Sequence, residues 1–91
     1  MEASVSHEPG RFVLRMDGEE AHLRYEQHAG VLEVLSTWTP PALRGGGVAA
    51  RLTEAAVAFA RREGLRIRPT CSYTRAYLQQ HAELRDLVEA P

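Results

Sequence analysis

At 91 residues the chain has room for one compact domain with a single modest core, and not for two. Hydrophobic residues make up 44% and charged residues 25%, which excludes a disordered chain. No apolar run approaches the roughly 20 residues that span a bilayer, so a soluble protein with no membrane partner is expected. The cations, all arginine, number 11 against 12 acidic residues, so no global field draws the chain to nucleic acid.

The opening MEASVSHEPG carries acid where a secretory signal would carry basic and then apolar residues, and a cytoplasmic location is the expectation. Residues 1–9 are expected to be flexible. A lone cysteine, Cys71, excludes an internal disulfide and a Cys-rich zinc site, and suits a reducing compartment. No metal is expected.

In RFVLRM (11–16), Phe12, Leu14 and Met16 share one face and Arg11, Val13 and Arg15 the other, the period of a half-buried strand. Asp17-Gly18 supplies a tight turn. In EEAHLRYEQ (19–27), Ala21, Leu23 and Tyr25 oppose His22, Arg24 and Glu26, so the two segments pair as a hairpin. After the turn-like His28-Ala29-Gly30, VLEVLSTWT (31–39) is rich in β-branched and aromatic residues and stops at Pro40. Its apolar residues Val31, Leu32, Val34 and Leu35 fall on both faces, which predicts cover on two sides or a bulge. This third strand is expected to be the central one.

From Gly47 the period becomes helical, with Val48, Leu52, Ala55, Ala56 and Phe59 on one face and Arg51, Glu54, Arg61 and Arg62 on the other. Arg61 and Arg62 suit the negative end of the dipole, and Gly64 suits the left-handed position that ends a helix. LRIR (65–68), stopped by Pro69, reads as a fourth strand. SYTRAYLQQHAELRDLVEA (72–90), capped by Ser72, carries one or two short helices. Strand, helix and strand make a βαβ unit that sets strand four parallel to strand three. The fold class is α/β: an antiparallel three-stranded meander, a βαβ unit and short C-terminal helices, in one domain over 1–91.

PPALRGGGVA (40–49) lies where a strand gives way to a helix, so unpaired N–H groups and the positive end of a helix dipole converge there. Gly45, Gly46 and Gly47 leave room for phosphate oxygens, and Arg44 adds a fixed cation. A flexible connector is the competing reading. Without lysine the chain has no Walker loop, and the spacing does not fit a dinucleotide fingerprint.

Arg44-x-x-Gly47-x-Ala49 resembles the R/Q-x-x-G-x-G/A acyl-CoA loop of the GCN5-related N-acetyltransferase superfamily. The similarity extends to a small acetyltransferase-like subfamily, through Thr39-Pro40, Arg44-Gly45-Gly46-Gly47, Pro69-Thr70-Cys71-Ser72-Tyr73 and His81-Ala82-Glu83. It covers nearly the whole chain from residue 10. The resemblance implies a truncated fold of that superfamily and acetyl-CoA as cosubstrate. The pyrophosphate would lie on the loop of Arg44, Gly45, Gly46, Gly47, Val48 and Ala49, and the pantetheine arm along Thr37, Trp38 and Thr39. Cys71 would sit beside the cofactor thiol.

The resemblance also implies candidate catalytic residues. Cys71 could protonate the departing thiolate, take the acyl group or form a mixed disulfide with CoA, and a helix starting at Ser72 would lower its pKa. Tyr77, sharing a helix face with Tyr73, is a second candidate acid; in each case the competing reading is a residue that only packs the core. Glu33 is a candidate base, with His22, His28 and His81 as chemically suitable alternatives that spacing does not single out. The superfamily's extra N-terminal strand and two enclosing helices are expected to be missing, which leaves an open acceptor groove suited to a peptide, protein or small amine. Trp38 departs from the usual H-T-x-V run. The functional expectation is transfer of an acetyl group to a primary amine by direct attack, in a monomer or weak homodimer. The alternatives are a non-catalytic CoA-binding or regulatory module, and a small adaptor whose glycines only connect.

Overall fold

A computed structural model describes residues 4–89. Among them the chain runs β1 (Val5–Glu8), β2 (Arg11–Met16), β3 (Glu19–His28), β4 (Val31–Trp38), a 3-10 turn (Pro41–Leu43), α1 (Val48–Glu63), β5 (Arg66–Pro69), α2 (Ser72–Gln80) and a 3-10 segment (Ala82–Leu87). The five strands lie in sequence order in one mixed sheet. The first three pairings are antiparallel, and β4 and β5 are parallel, as the βαβ reading requires.

Two expectations are corrected here. Residues 5–8, assigned to a flexible arm, form an edge strand antiparallel to β2, from Val5↔Leu14 to Glu8↔Arg11. The meander therefore has four strands; β4 is interior, paired with β3 and β5, and β3 is the middle strand of the five. The signal was in the turn: Pro9 presets one backbone angle and Gly10 takes φ +76°, the pattern of a type II turn. β1 runs straight into β2, so the extra strand is present while no helix separates the two.

The other hairpins use Asp17-Gly18 and Ala29-Gly30, with positive φ at all four residues, the type I′ geometry that matches strand twist. Between β3 and β4 the register steps from Arg24↔Ser36 to Tyr25↔Val34, so Leu35 is the extra residue of a bulge. That bulge accounts for the broken alternation of the segment.

Helix α1 ends in a Schellman motif: the Leu65 N–H donates to Ala60 O (2.8 Å) and the Gly64 N–H to Arg61 O (3.3 Å), with Gly64 at φ +69°. Val48, Leu52, Ala56 and Ala60 pack into one core with Phe12, Leu14, Leu23, Leu32, Val34 and Ile67. Thr53 is also buried, its hydroxyl returned to Ala49 O at 2.9 Å. β5 reaches one residue further than expected, Pro69 closing its register against Val34. Helix α2 begins at Ser72, so the cap position belongs to Cys71 and not to Ser72, and no side chain caps it. Beyond the 3-10 segment, Val88 bridges Ile67 in parallel and the Glu89 N–H donates to Ile67 O (2.8 Å), which covers part of the β5 edge.

Candidate functional site

The β4–β5 ladder stops at Val34↔Pro69, just before the Leu35 bulge, and Ser36, Thr37 and Trp38 pair with β3 alone. The two parallel strands thus part at their C-terminal ends, the place where open α/β sheets bind ligands. Cys71 follows β5 across this gap and ties it to β4, its N–H donating to Val34 O at 2.9 Å.

The glycine loop closes the far end of β4. Gly45 (φ +87°) and Gly47 (φ +77°) are left-handed, and Gly47 takes the N-cap position of α1 without a side-chain cap, so the first-turn amides are free for an external acceptor. A Cβ built at Gly45 or Gly47 meets nothing within 4 Å. A hollow of about 240 Å³ lies here, bordered by Thr39, Leu43, Arg44, Gly45, Gly47, Val48, Ala49, Ala50 and Tyr73. Arg44 donates from Nε to Thr39 O (3.0 Å), and its guanidinium lies over the Trp38 ring, 5.2 Å from the centroid. Open space, exposed amides and a cation together fit a diphosphate.

Cys71 is 9% exposed, and Thr37 Oγ1 stands 3.5 Å from its sulfur. Burial pushes the Cys71 thiol up, but the Thr37 hydroxyl, and after it the polar groups of Thr74 and Tyr73 at the start of α2, favour the thiolate and outweigh it. The thiol ends below its ordinary value. The Thr74 hydroxyl, 1% exposed as a residue, has no partner of ordinary hydrogen-bond geometry, and the Cys71 sulfur is the atom it would serve once the thiol ionises. Thr74 was not singled out from the sequence. Its signal is position: it lies three residues past the cap, where a helix turns back on its own start.

Of the two tyrosines, Tyr73 borders the hollow and is 38% exposed, whereas Tyr77 stacks on His81 with centroids 4.0 Å apart. Both phenols are pushed up, by burial first and the Glu54 charge second, so both keep their protons at neutral pH. His81 Nδ1 lies 2.7 Å from the backbone carbonyl oxygen of Tyr77, to which it donates.

Glu33 lies on the polar face of β4. Thr70 Oγ1 donates to one oxygen (2.5 Å), His28 Nε2 lies 3.4 Å from the other, and Arg68 stands 3.8 Å away. These hold its carboxyl below the usual range, the Thr70 hydrogen bond contributing most, so it is a weak proton acceptor. Glu26, His28 and Glu33 have ligand-type atoms within 4.8 Å of one another, but on an open surface with a guanidinium beside them. His22 lies on β3 opposite Trp38.

Over residues 11–87 the chain matches the family described as GCN5-related N-acetyl-transferase. No curated protein matches it.

Proposed function

Because the chain belongs to the GCN5-related N-acetyltransferase family, we propose that it binds acetyl-CoA and transfers the acetyl group to a primary amine of a peptide, protein or small molecule by direct attack. One observation carries the reading: the open hollow at Gly45 and Gly47 is bordered by Thr39, just past the end of β4, and by Tyr73 of α2, while β4 and β5 part after Val34 and Pro69 with Cys71 between β5 and α2. When bound, acetyl-CoA supplies an activated thioester.

The amides of residues 45–49 and the Arg44 guanidinium bind its pyrophosphate. The backbone at the end of β4, through Thr37 and Trp38, and of Thr39 just beyond it lines the pantetheine arm and offers N–H groups to the thioester carbonyl oxygen, where negative charge develops during acyl transfer. Cys71 holds a proton at Sγ for the departing thiolate, with Thr37 and Thr74 steadying the anion it leaves. Tyr77 is the second proton donor, and Tyr73 closes the hollow over the loop. Glu33, kept anionic, faces a cationic acceptor better than it abstracts a proton, so the amine sheds its proton through Glu33 only slowly or through water. We place the protein in the cytoplasm, as a monomer or weak homodimer.

The weak basicity of Glu33 is also what favours the second reading, a CoA-binding module that does not turn over. Calorimetry with acetyl-CoA, CoA and desulfo-CoA, followed by acetyl-CoA turnover against a peptide and polyamine panel, separates the two. Binding with turnover supports the transferase. Binding without turnover on any acceptor supports the module. Arg44→Glu is expected to abolish binding in either case, and retention of binding would refute the anion site.

A further inference from the structure

Trp38, the single tryptophan of the chain, is 46% exposed at the end of β4, where so large a ring gains little from burial. What it does hold is the Arg44 guanidinium, with Cζ 5.2 Å from the ring centroid. The same side chain donates from Nε to Thr39 O at 3.0 Å. Two constraints therefore act on one arginine: the hydrogen bond sets where Nε lies, and the ring holds Cζ over its face. The Nη groups of Arg44 have no hydrogen bond or ion pair among the described residues, and Arg44 borders the hollow beside Gly45 and Gly47. An unrestrained arginine loses rotamer freedom when a ligand fixes it. A side chain held beforehand loses less, and the difference appears as affinity.

We propose that Trp38 is a positioning residue: it acts through Arg44, holding the guanidinium so that both Nη groups are ready for the diphosphate of a CoA ligand. This rests on the acyl-CoA reading above. It differs from the expectation that Trp38 touches the pantetheine arm, because a direct contact would contribute whether or not Arg44 is a cation.

The test is a double-mutant cycle read by calorimetry with CoA, using Trp38→Leu, Arg44→Gln and the pair, each checked by circular dichroism. In the wild-type background Trp38→Leu is expected to weaken CoA about two- to five-fold, the range of an exposed cation–π contact. Trp38→Phe recovers most of that loss. In the Arg44→Gln background, where no cation remains, Trp38→Leu has no further effect. An equal loss in both backgrounds, or no loss in either, overturns the proposal and leaves the acyl-CoA reading intact. Failure of the wild type to bind CoA overturns both. A second readout does not depend on how a Trp38 variant folds: Arg44→Gln alone is expected to change the emission of the lone tryptophan in ligand-free protein, and unchanged emission contradicts the contact.

Discussion

Cys71 concentrates more of the chemistry than any other side chain, because its buried sulfur lies 3.5 Å from the Thr37 hydroxyl and beside the start of α2, surroundings that together lower its pKa. A thiol pKa below the ordinary value means that thiolate is present at lower pH, so alkylation of Cys71 should reach half its maximal rate at a lower pH than a free cysteine. Thr37→Val and Thr74→Val each remove a donor and should move that midpoint upward. A profile indifferent to both changes would refute the assignment. Cys71→Ala should leave CoA affinity largely intact and reduce turnover by about 10²-fold, the lower end of general acid effects. Position along the chain was enough to bring Cys71 and Arg44 to attention. It could not reveal Thr74, whose importance depends on being buried without a partner, nor the contact of Arg44 with Trp38, which needs the strand end and the loop to fold back on each other. Tyr73 and Tyr77 were indistinguishable by spacing, since i and i+4 share a face, and only the packing of α2 decides that Tyr73 meets the loop.

Turns set the accuracy of the element-scale picture. Strands β2, β3 and β4 and helix α1 were legible because their periods of 2 and 3.6 run long enough to be unambiguous, and Asp17-Gly18 and Gly64 mark their ends. β1 was not, because four residues with a histidine on the core-facing side give almost no hydrophobic alternation, although Pro9-Gly10 announced the reversal. Ser72 lost the cap position to Cys71 because the β5 register extends through Pro69, leaving Thr70 as the connector and Cys71 as the cap before the helix starts at Ser72. The Ala29-Gly30 turn carries a cost of its own, since Ala29 holds φ +51°. Ala29→Gly should raise stability by about 1 kcal/mol in urea unfolding, the penalty of a Cβ in the left-handed region. Gly47→Ala should lose a similar amount, with φ +77° at the mouth of α1, and should weaken CoA as well because Gly47 borders the hollow. A stable Gly47→Ala protein with unchanged CoA affinity would speak against the loop as the anion site.

Across the whole molecule, β1 does more than extend the sheet. His7 stacks on Phe12 (centroids 4.2 Å), meets Phe59 of α1 edge-on (4.7 Å) and bonds Tyr25 Oη at 2.5 Å, so one edge strand is clasped to both the sheet and the main helix. Burial, and then the Arg62 charge, lower the His7 pKa. The folded state therefore favours the neutral ring, and the unfolded chain binds the proton first. The stabilisation is complete above the unfolded value of about 6.5 and is lost as pH falls through it toward the folded value. Between about pH 7.5 and 5, urea midpoints should fall further for the wild type than for His7→Gln; equal falls would remove His7 from the account. The clasp also fixes β2 and, through it, β3, against which β4 is paired, so the slot rests on a sheet anchored at its opposite edge. No helix among the described residues is long and apolar enough to cross a membrane, and none stands between β1 and β2 to wall the acceptor side. The central claim is that the parted strands and the glycine loop form an acyl-CoA site, and titration calorimetry with acetyl-CoA on the wild type and Arg44→Glu tests it most directly. The account predicts saturable binding to the wild type that the charge reversal removes; no binding to the wild type, or equal binding to both, would contradict it.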